Sequence, residues 1–303
     1  MEAYLLRQTL IPLSDPPESE SEGGRVLLLS SQELSDHPAD PLGEDILPHT
    51  PLARDARVCK GEVRGDYLCD TVVTPRHTKS GTQIAFGYLL TREVAVLCDD
   101  TQVTSSMLRR LAKERQWQQA GVGTFFHEFL TLLLAKDPHH LQELENQLEG
   151  LESRVLGGSL ANFGAQMSAL RKELFGWMRY YAQLASVVDT LAKNEPGFFS
   201  PQECQQLRML AQRLLHLKDE AYLLREYSLQ VQGLFQAEIG ILQNRMIQLL
   251  TVMTTIFMPL TLLLEWYGMT TSGLDASGYP LIVASGVLLA LGCLWVINRK
   301  RFR

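Results

Sequence analysis

Much that a sequence can advertise is missing from this one. Its five cysteines (Cys59, Cys69, Cys98, Cys204, Cys293) form no CxxC pair and no other metal-ligand spacing. Thiolate metal centres are thereby set aside, and reduced, mostly buried thiols are expected. No GxGxxG, Walker loop or nucleophile elbow occurs, and no set of nucleophile, base and orienting group emerges, so the chain is not expected to be an enzyme or to carry a cofactor. Basic residues are not in excess: 28 Lys and Arg stand against 34 Asp and Glu, a formal charge of −6. That argues against nucleic acid as a partner. The opening residues MEAYLLRQTLIPL lack a basic stretch leading into an apolar core, so no cleaved signal is expected. With 46% hydrophobic and 20% charged residues over 303 positions, the averages describe a mildly acidic soluble protein and exclude disordered or collagen-like chains.

The averages hide a segregation. Charge is absent from Met246 to Leu264 (MIQLLTVMTTIFMPLTLLL) and again from Tyr279 to Ile297 (YPLIVASGVLLALGCLWVI), 19 residues each. About 20 apolar residues in a helix cross the roughly 30 Å hydrocarbon layer of a bilayer. Two such runs in tandem, joined by a short loop rich in Gly, Ser and Thr, predict a transmembrane hairpin. Arg299, Lys300, Arg301 and Arg303 follow the second run, Arg245 precedes the first, and the joining loop carries only Asp275. Positive flanks face the cytoplasm, so a multi-pass protein of the cell (inner) membrane is expected, with both termini cytoplasmic. From Asn244 onward there are five basic and two acidic residues, which leaves 23 and 32 before it. A part with formal charge −9 is thus joined to one of +3. An acidic exterior attracts cations, although a merely solvated surface is the plainer reading.

Residues 1–120 predict a cytosolic α/β domain. VLLLS (26–30), the alternating 58–73 stretch, TQIAFGYLLT (82–91) and EVAVLCDD (93–100) are strand-like, 104–116 is helical, and the Pro/Ser/Asp-rich 13–24 and 34–54 are loops. After Gly121 the pattern turns helical. One helix is expected over 123–136, and a long one from His139 to Asn194, weakened at Gly157-Gly158. Glu195-Pro196-Gly197 makes a turn. Ser200-Pro201-Gln202-Glu203 is a helix start, with serine as cap, proline first and glutamate back-bonding. Leu207, Leu210, Leu214, Leu217, Ala221, Leu224, Val231 and Phe235 then recur at three- and four-residue steps, with Ser228 filling the gap. No proline interrupts before Pro259, which predicts one helix from Pro201 to Trp266, about 100 Å long. The alternative is an ordinary helical hairpin followed by a separate span.

Tyr267-Gly268-Met269-Thr270, at the outer end of the first span, resembles the YGMN signature of the CorA-type divalent cation (magnesium) channel family. Asn244 to Thr251 and Thr255 to Thr261 are similar to that family's pore helix. Leu170 to Leu174, Phe198-Phe199-Ser200 and Leu224 to Tyr227 are similar to its cytosolic helices. The resemblance implies an α+β membrane protein, a funnel-shaped homopentamer with two C-terminal transmembrane helices. It divides the chain into a cytosolic α/β domain (1–120), a helical and stalk region (121–243) and a pore-lining helix (244–267). An outward loop (268–278), a second membrane helix (279–297) and a basic tail (298–303) follow. Five first spans would line the pore, the second spans would face lipid around them, and the acidic domains would sense divalent cation.

Stepping by three or four from Asn244 gives Ile247, Leu250 or Thr251, Thr254, Met258, Thr261, Glu265 and Gly268 on one face, whereas Ile256, Leu260, Leu263 and Leu264 lie elsewhere. On that face Ile247, Leu250 and Met258 would form constrictions that gate by dewetting. Asn244, Thr254 and Thr261 would supply oxygen-bearing rings; for the threonines the alternative is back-bonding to helix carbonyls. Two departures from the family stand out. Thr270 replaces the asparagine of GMN, keeping an oxygen that is shorter and differently aimed. Glu265, one turn below the mouth, would make a ring of five carboxylates; its alternative is an interfacial carboxylate among headgroup-level water. The candidate metal-contacting residues are therefore Glu265 and Thr270, with Tyr267, Gly268 and Met269 completing the motif. His139-His140 with Glu143, Asp99-Asp100, and the Glu143/Glu145/Glu149/Glu152 run are weaker candidates, more simply exposed side chains and a solvated face. Trp177, Tyr180 and Tyr181 are expected to pack between helices.

The function implied is a Mg2+ channel or transporter, or one for the related Co2+ or Ni2+, working by passive uptake gated by the cytosolic domain. The alternatives are a ZntB-like, proton-coupled zinc transporter and a non-conducting structural or regulatory homologue anchored in the membrane.

Overall fold

A computed structural model describes residues 1–13, 23–36, 46–75, 83–117, 121–159, 161–195 and 197–270, together with Ala284, Gly286, Leu288 and Gly292. The chain divides into two units, one of Met1–Ser153 and Ala161–Val231, the other of Arg154–Leu160 and Gln232–Arg303.

The first unit is built on a seven-stranded sheet in the order β2-β1-β3-β7-β6-β5-β4. Its strands are β1 (Glu2–Leu6), β2 (Leu10–Leu13), β3 (Gly24–Leu29), β4 (Glu62–Arg64), β5 (Tyr67–Val73), β6 (Ala85–Leu90) and β7 (Val94–Asp99). All pair antiparallel except β3 and β7, which run parallel, Leu27 opposite Val96. Every position of β7 is buried, as are five of the six in β6. Continuous apolar runs rather than alternation are what a strand covered on both faces requires. The β4–β5 turn uses Gly65 at φ 56°, a left-handed conformation that glycine adopts without strain. At Gly87 a side chain is impossible: a Cβ there would lie 1.8 Å from the Pro51 carbonyl oxygen. One element not expected from the sequence is the β1–β2 hairpin, which uses Tyr4 and Pro12 as cross-strand partners.

Part of the segment expected to be loop over 34–54 forms regular structure. Helix α1 covers Ser31–Asp36, and short 3-10 turns form at Leu47–His49 and Ala53–Asp55. Helix α2 is Val103–Glu114, and α3 is Val122–Leu133, which runs into a 3-10 turn at Leu134–Lys136. Phe86 meets Phe129 edge-on at 5.4 Å, and Tyr88 meets Phe126 at 5.1 Å, so α3 packs its aromatic face on β6.

The single helix expected over 139–194 is two, α4 (Asp137–Leu156) and α5 (Phe163–Lys193). Gly158 at φ 76° and Asn162 at φ 56° turn the chain left-handed, which ends a helix outright instead of weakening it. Helix α6 runs unbroken from Pro201 to Thr270, 70 residues or about 105 Å. Its start is the expected capping box: Glu203 N donates to Ser200 Oγ at 3.3 Å, and Ser200 N donates to Glu203 Oε2 at 2.8 Å. Gly268 to Thr270 therefore lie in the last helical turn and not in the loop expected over 268–278. The rest of that loop and the basic tail over 298–303 lie outside the described residues, as does the second span over 279–297, apart from four helical positions.

Candidate cation pathway

Helix α6 changes character along its length. Up to Val231 its seam of Leu207, Leu210, Leu214, Leu217, Ala221, Leu224, Ser228 and Val231 is buried. Ser228 fits an apolar seam because its Oγ donates to the Arg225 carbonyl at 2.6 Å, which satisfies the hydroxyl locally. Phe235, expected to continue the seam, is only half-buried. Within the second unit, every residue from Gly240 to Thr251 is exposed. Met246, Ile247, Leu249 and Leu250 are 61–76% exposed, as apolar as any core but left largely uncovered by the described residues. Among the described residues α6 is the one helix long and apolar enough to cross a membrane.

The positions expected to line a path sit as follows. Asn244, Ile247, Leu250, Thr254, Met258, Thr261 and Glu265 are all exposed along this stretch. Thr251 Oγ1 donates to the Ile247 carbonyl at 2.8 Å, Thr261 Oγ1 to Phe257 at 2.8 Å and Thr255 Oγ1 to Thr251 at 2.6 Å; Thr254 Oγ1 bonds the Leu250 carbonyl likewise. Back-bonding is therefore present at every one of these threonines. It uses each hydroxyl's proton and leaves the oxygen lone pairs free as acceptors. Water around a hydrated cation presents donors outward, and an acceptor-only surface suits it. Leu260, expected off the path, lies against the backbone of Gly286: a Cβ there would sit 3.5 Å from Leu260 Cδ2. The side chains of Tyr267, Met269 and Thr270 lie outside the described residues.

The weaker candidates resolve into structural roles. Asp99 accepts from Thr101 N at 2.8 Å and from Thr104 N at 2.9 Å, the second of which satisfies an orphan donor in the first turn of α2. Asp100 does the same for α1, accepting from Ser31 N and Ser31 Oγ at 2.7 Å each. Both aspartates are thus caps, a role the sequence conceals because α1 and Asp100 are nearly seventy positions apart. His140 Nε2 lies 3.1 Å from Glu173 Oε1, and exposed His139 lies 3.6 Å from Glu143. In the acidic run, Glu152 bonds the Tyr227 phenol, and this carboxylate pushes that phenol up to about 12. No group of three or more His, Cys, Asp or Glu placed to hold a metal occurs among the described residues. Trp177, Tyr180 and Tyr181 pack as expected, all buried, with ring centroids 5.3–5.9 Å apart. Cys59, Cys69, Cys98 and Cys204 are free and buried; Cys293 is outside the described residues.

A folded soluble unit and an uncovered apolar stretch sharing one helix define a membrane-protein class. Residues 91–301 match the family described as CorA-like Mg2+ transporter protein, and the chain belongs to that family. It is 21% identical over 165 residues to the cobalt/magnesium transport protein CorA of Thermotoga maritima, covering 53% of this chain and 47% of the relative. It is 22% identical over 188 residues to the zinc transport protein ZntB of Yersinia enterocolitica, covering 59% and 56%. The chain spans about half the length of the curated relatives it matches. Among solved structures, the CorA magnesium transporter of Methanocaldococcus jannaschii has a TM-score of 0.80 at 19% identity over 98% of this chain and 97% of its own. The full-length CmaX protein has a TM-score of 0.74 at 15% identity over 99% and 97%. These likenesses establish the fold.

Proposed function

We propose that this chain conducts divalent metal cations across a membrane as a homopentamer, along the α6 face of Asn244, Ile247, Leu250, Thr254, Met258, Thr261 and Glu265. The observation that carries this reading is the uncovered stretch of α6. A nineteen-residue uncharged run whose described positions are mostly exposed is stable only if lipid and other copies cover it, and a threonine ladder within it offers acceptors that lipid cannot use. Self-association places the polar face inward and the remaining leucines toward lipid or the second span. Ile247, Leu250 and Met258 would then be apolar constrictions that close by excluding water. Glu265 would ring the outer end with carboxylates, concentrating cations where Thr270 replaces the family's asparagine. Magnesium dehydrates reluctantly, so a mouth that handles the hydrated ion through oxygen acceptors fits Mg2+ and its near relatives Co2+ and Ni2+. Passive inward flux gated by the N-terminal domain, with both termini cytoplasmic, completes the reading.

Zinc transport coupled to protons is the second reading. It is favoured by the match to zinc transport relatives and by Thr270 and Glu265, which depart from the magnesium signature. Flux of Mg2+, Co2+, Ni2+ and Zn2+ into proteoliposomes, with and without a pH gradient, separates the two. Mg2+ flux indifferent to the gradient supports the first, and gradient-driven Zn2+ flux supports the second. No flux of any cation overturns both and leaves a non-conducting homologue. Glu265→Gln is expected to lower flux about tenfold at low ionic strength, the scale of electrostatic focusing at a charged mouth. Unchanged flux removes Glu265 from the path.

A further inference from the structure

Asp137, the first residue of α4, is buried to 6% exposure in the N-terminal unit. Its Oδ2 has no hydrogen-bond partner among the described residues, nor does the buried Tyr181 Oη, although the phenol on α5 faces the carboxyl. The groups around Asp137 come from three helices. His140 faces it from α4, Tyr180 and Tyr181 from α5, and Arg213 from α6. Beyond these, Glu220 of α6 and Cys59 face the two tyrosines, and Glu173 occupies His140. His140 also stacks on Trp177 of α5, ring centroids 4.8 Å apart. A lone carboxylate in such a place loses its hydration without gaining an ion pair, whereas a neutral carboxyl is tolerated there.

We propose that Asp137 is a proton-operated latch between α4 and α5: protonated, it lets the two helices close over it, and ionised, it loosens them. Burial pushes this carboxyl up to about 7 from its ordinary 3.8, against smaller opposing pulls from Tyr181, His140 and Arg213. The folded state therefore keeps a proton that the opened state gives up. Between those two values each unit rise in pH favours opening tenfold, and above about 7 the effect levels off. The latch responds on the acidic side of neutrality, between about 3.8 and about 7, and it acts whether or not α6 conducts cations.

Hydrogen exchange of the full-length protein in detergent micelles, corrected for the intrinsic pH dependence of exchange, reads this directly. Peptides from 137–156 and 163–193 of the wild type should lose about a hundredfold protection between pH 5 and pH 8. Asp137→Asn should flatten that dependence. Should Asp137→Asn fail to fold, Tyr181→Phe decides, because it removes only a hydroxyl that makes no ordinary hydrogen bond. Without the phenol's pull, the midpoint should move to higher pH. PH-independent protection in the wild type, a retained slope in folded Asp137→Asn, or a midpoint in Tyr181→Phe that stays put or falls overturns the proposal.

Discussion

The two parts of α6 use the same residues under different rules. Before Val231, leucines at three- and four-residue steps are buried and the positions between them are mostly polar, with Met209, Leu215 and Leu223 among the exposed apolar exceptions. After Gln232, apolar residues surround the helix and none from Ile241 to Leu250 is covered. A leucine in the first part is stabilising because it leaves water. One in the second part gains nothing comparable by meeting another leucine, since lipid tails are equally apolar. Polar residues reverse their meaning in the same way. Arg208 or Gln212 on the first part is an ordinary solvated surface residue, whereas Glu265 in the second needs a specific reason to be there.

The contrast can be broken by truncation. Leu214→Ala, in the buried seam, is expected to destabilise the N-terminal unit by about 2–5 kcal/mol in chemical denaturation of the detergent-solubilised protein. Leu264→Ala, in the uncovered stretch, should change that transition by less than about 0.5 kcal/mol. Equal effects would mean that both leucines are packed alike. At the seam's beginning, Glu203→Ala should cost about 1–2 kcal/mol in the same assay. The reason is that Glu203 Oε1 also accepts from Thr124 N at 3.0 Å, so one carboxylate holds the starts of both α3 and α6. A loss no larger than that of an exposed alanine substitution would deny it this double role. Smallest in stability but informative in function, Thr270→Asn should shift relative proteoliposome flux toward Mg2+. Identical ion preference would show that position 270 does not contribute to selection.

Much of this was legible beforehand because α6 has so few interruptions. The capping residues Ser200 and Glu203, the heptad-like seam and the absence of proline before Pro259 all act locally, through near neighbours, and the structure follows them. The mixed sheet was legible where apolar runs are continuous, at β3, β6 and β7. It was not legible at β1 and β2, whose pairing depends on a hairpin with no strong turn residue and on a partner, β3, that arrives later. The break after Leu156 was underestimated because asparagine adopts the left-handed conformation at only some positions, and nothing in the local sequence singles out Asn162. Asp99 and Asp100 read as solvated acids and only weakly as a cation-attracting pair, since sequence proximity says nothing about the helix starts that claim them. Asp137 gave no signal at all: an aspartate before proline is an ordinary helix opening, and only burial against Tyr181 makes it unusual.

The proposed path stands or falls on which face of α6 meets water inside the assembled protein. Single cysteines at Thr254, Met258 and Thr261, and at Ile256, Leu260 and Leu264, can be introduced with Cys293 replaced by serine; the four other native thiols are buried. Each is then treated with a charged, membrane-impermeant thiol reagent in proteoliposomes while cation flux is followed. Block confined to positions 254, 258 and 261 is the expected result, because those alone share the face with Asn244 and Glu265. Block at 256, 260 and 264, or reactivity without helical period, would contradict a pathway along that face.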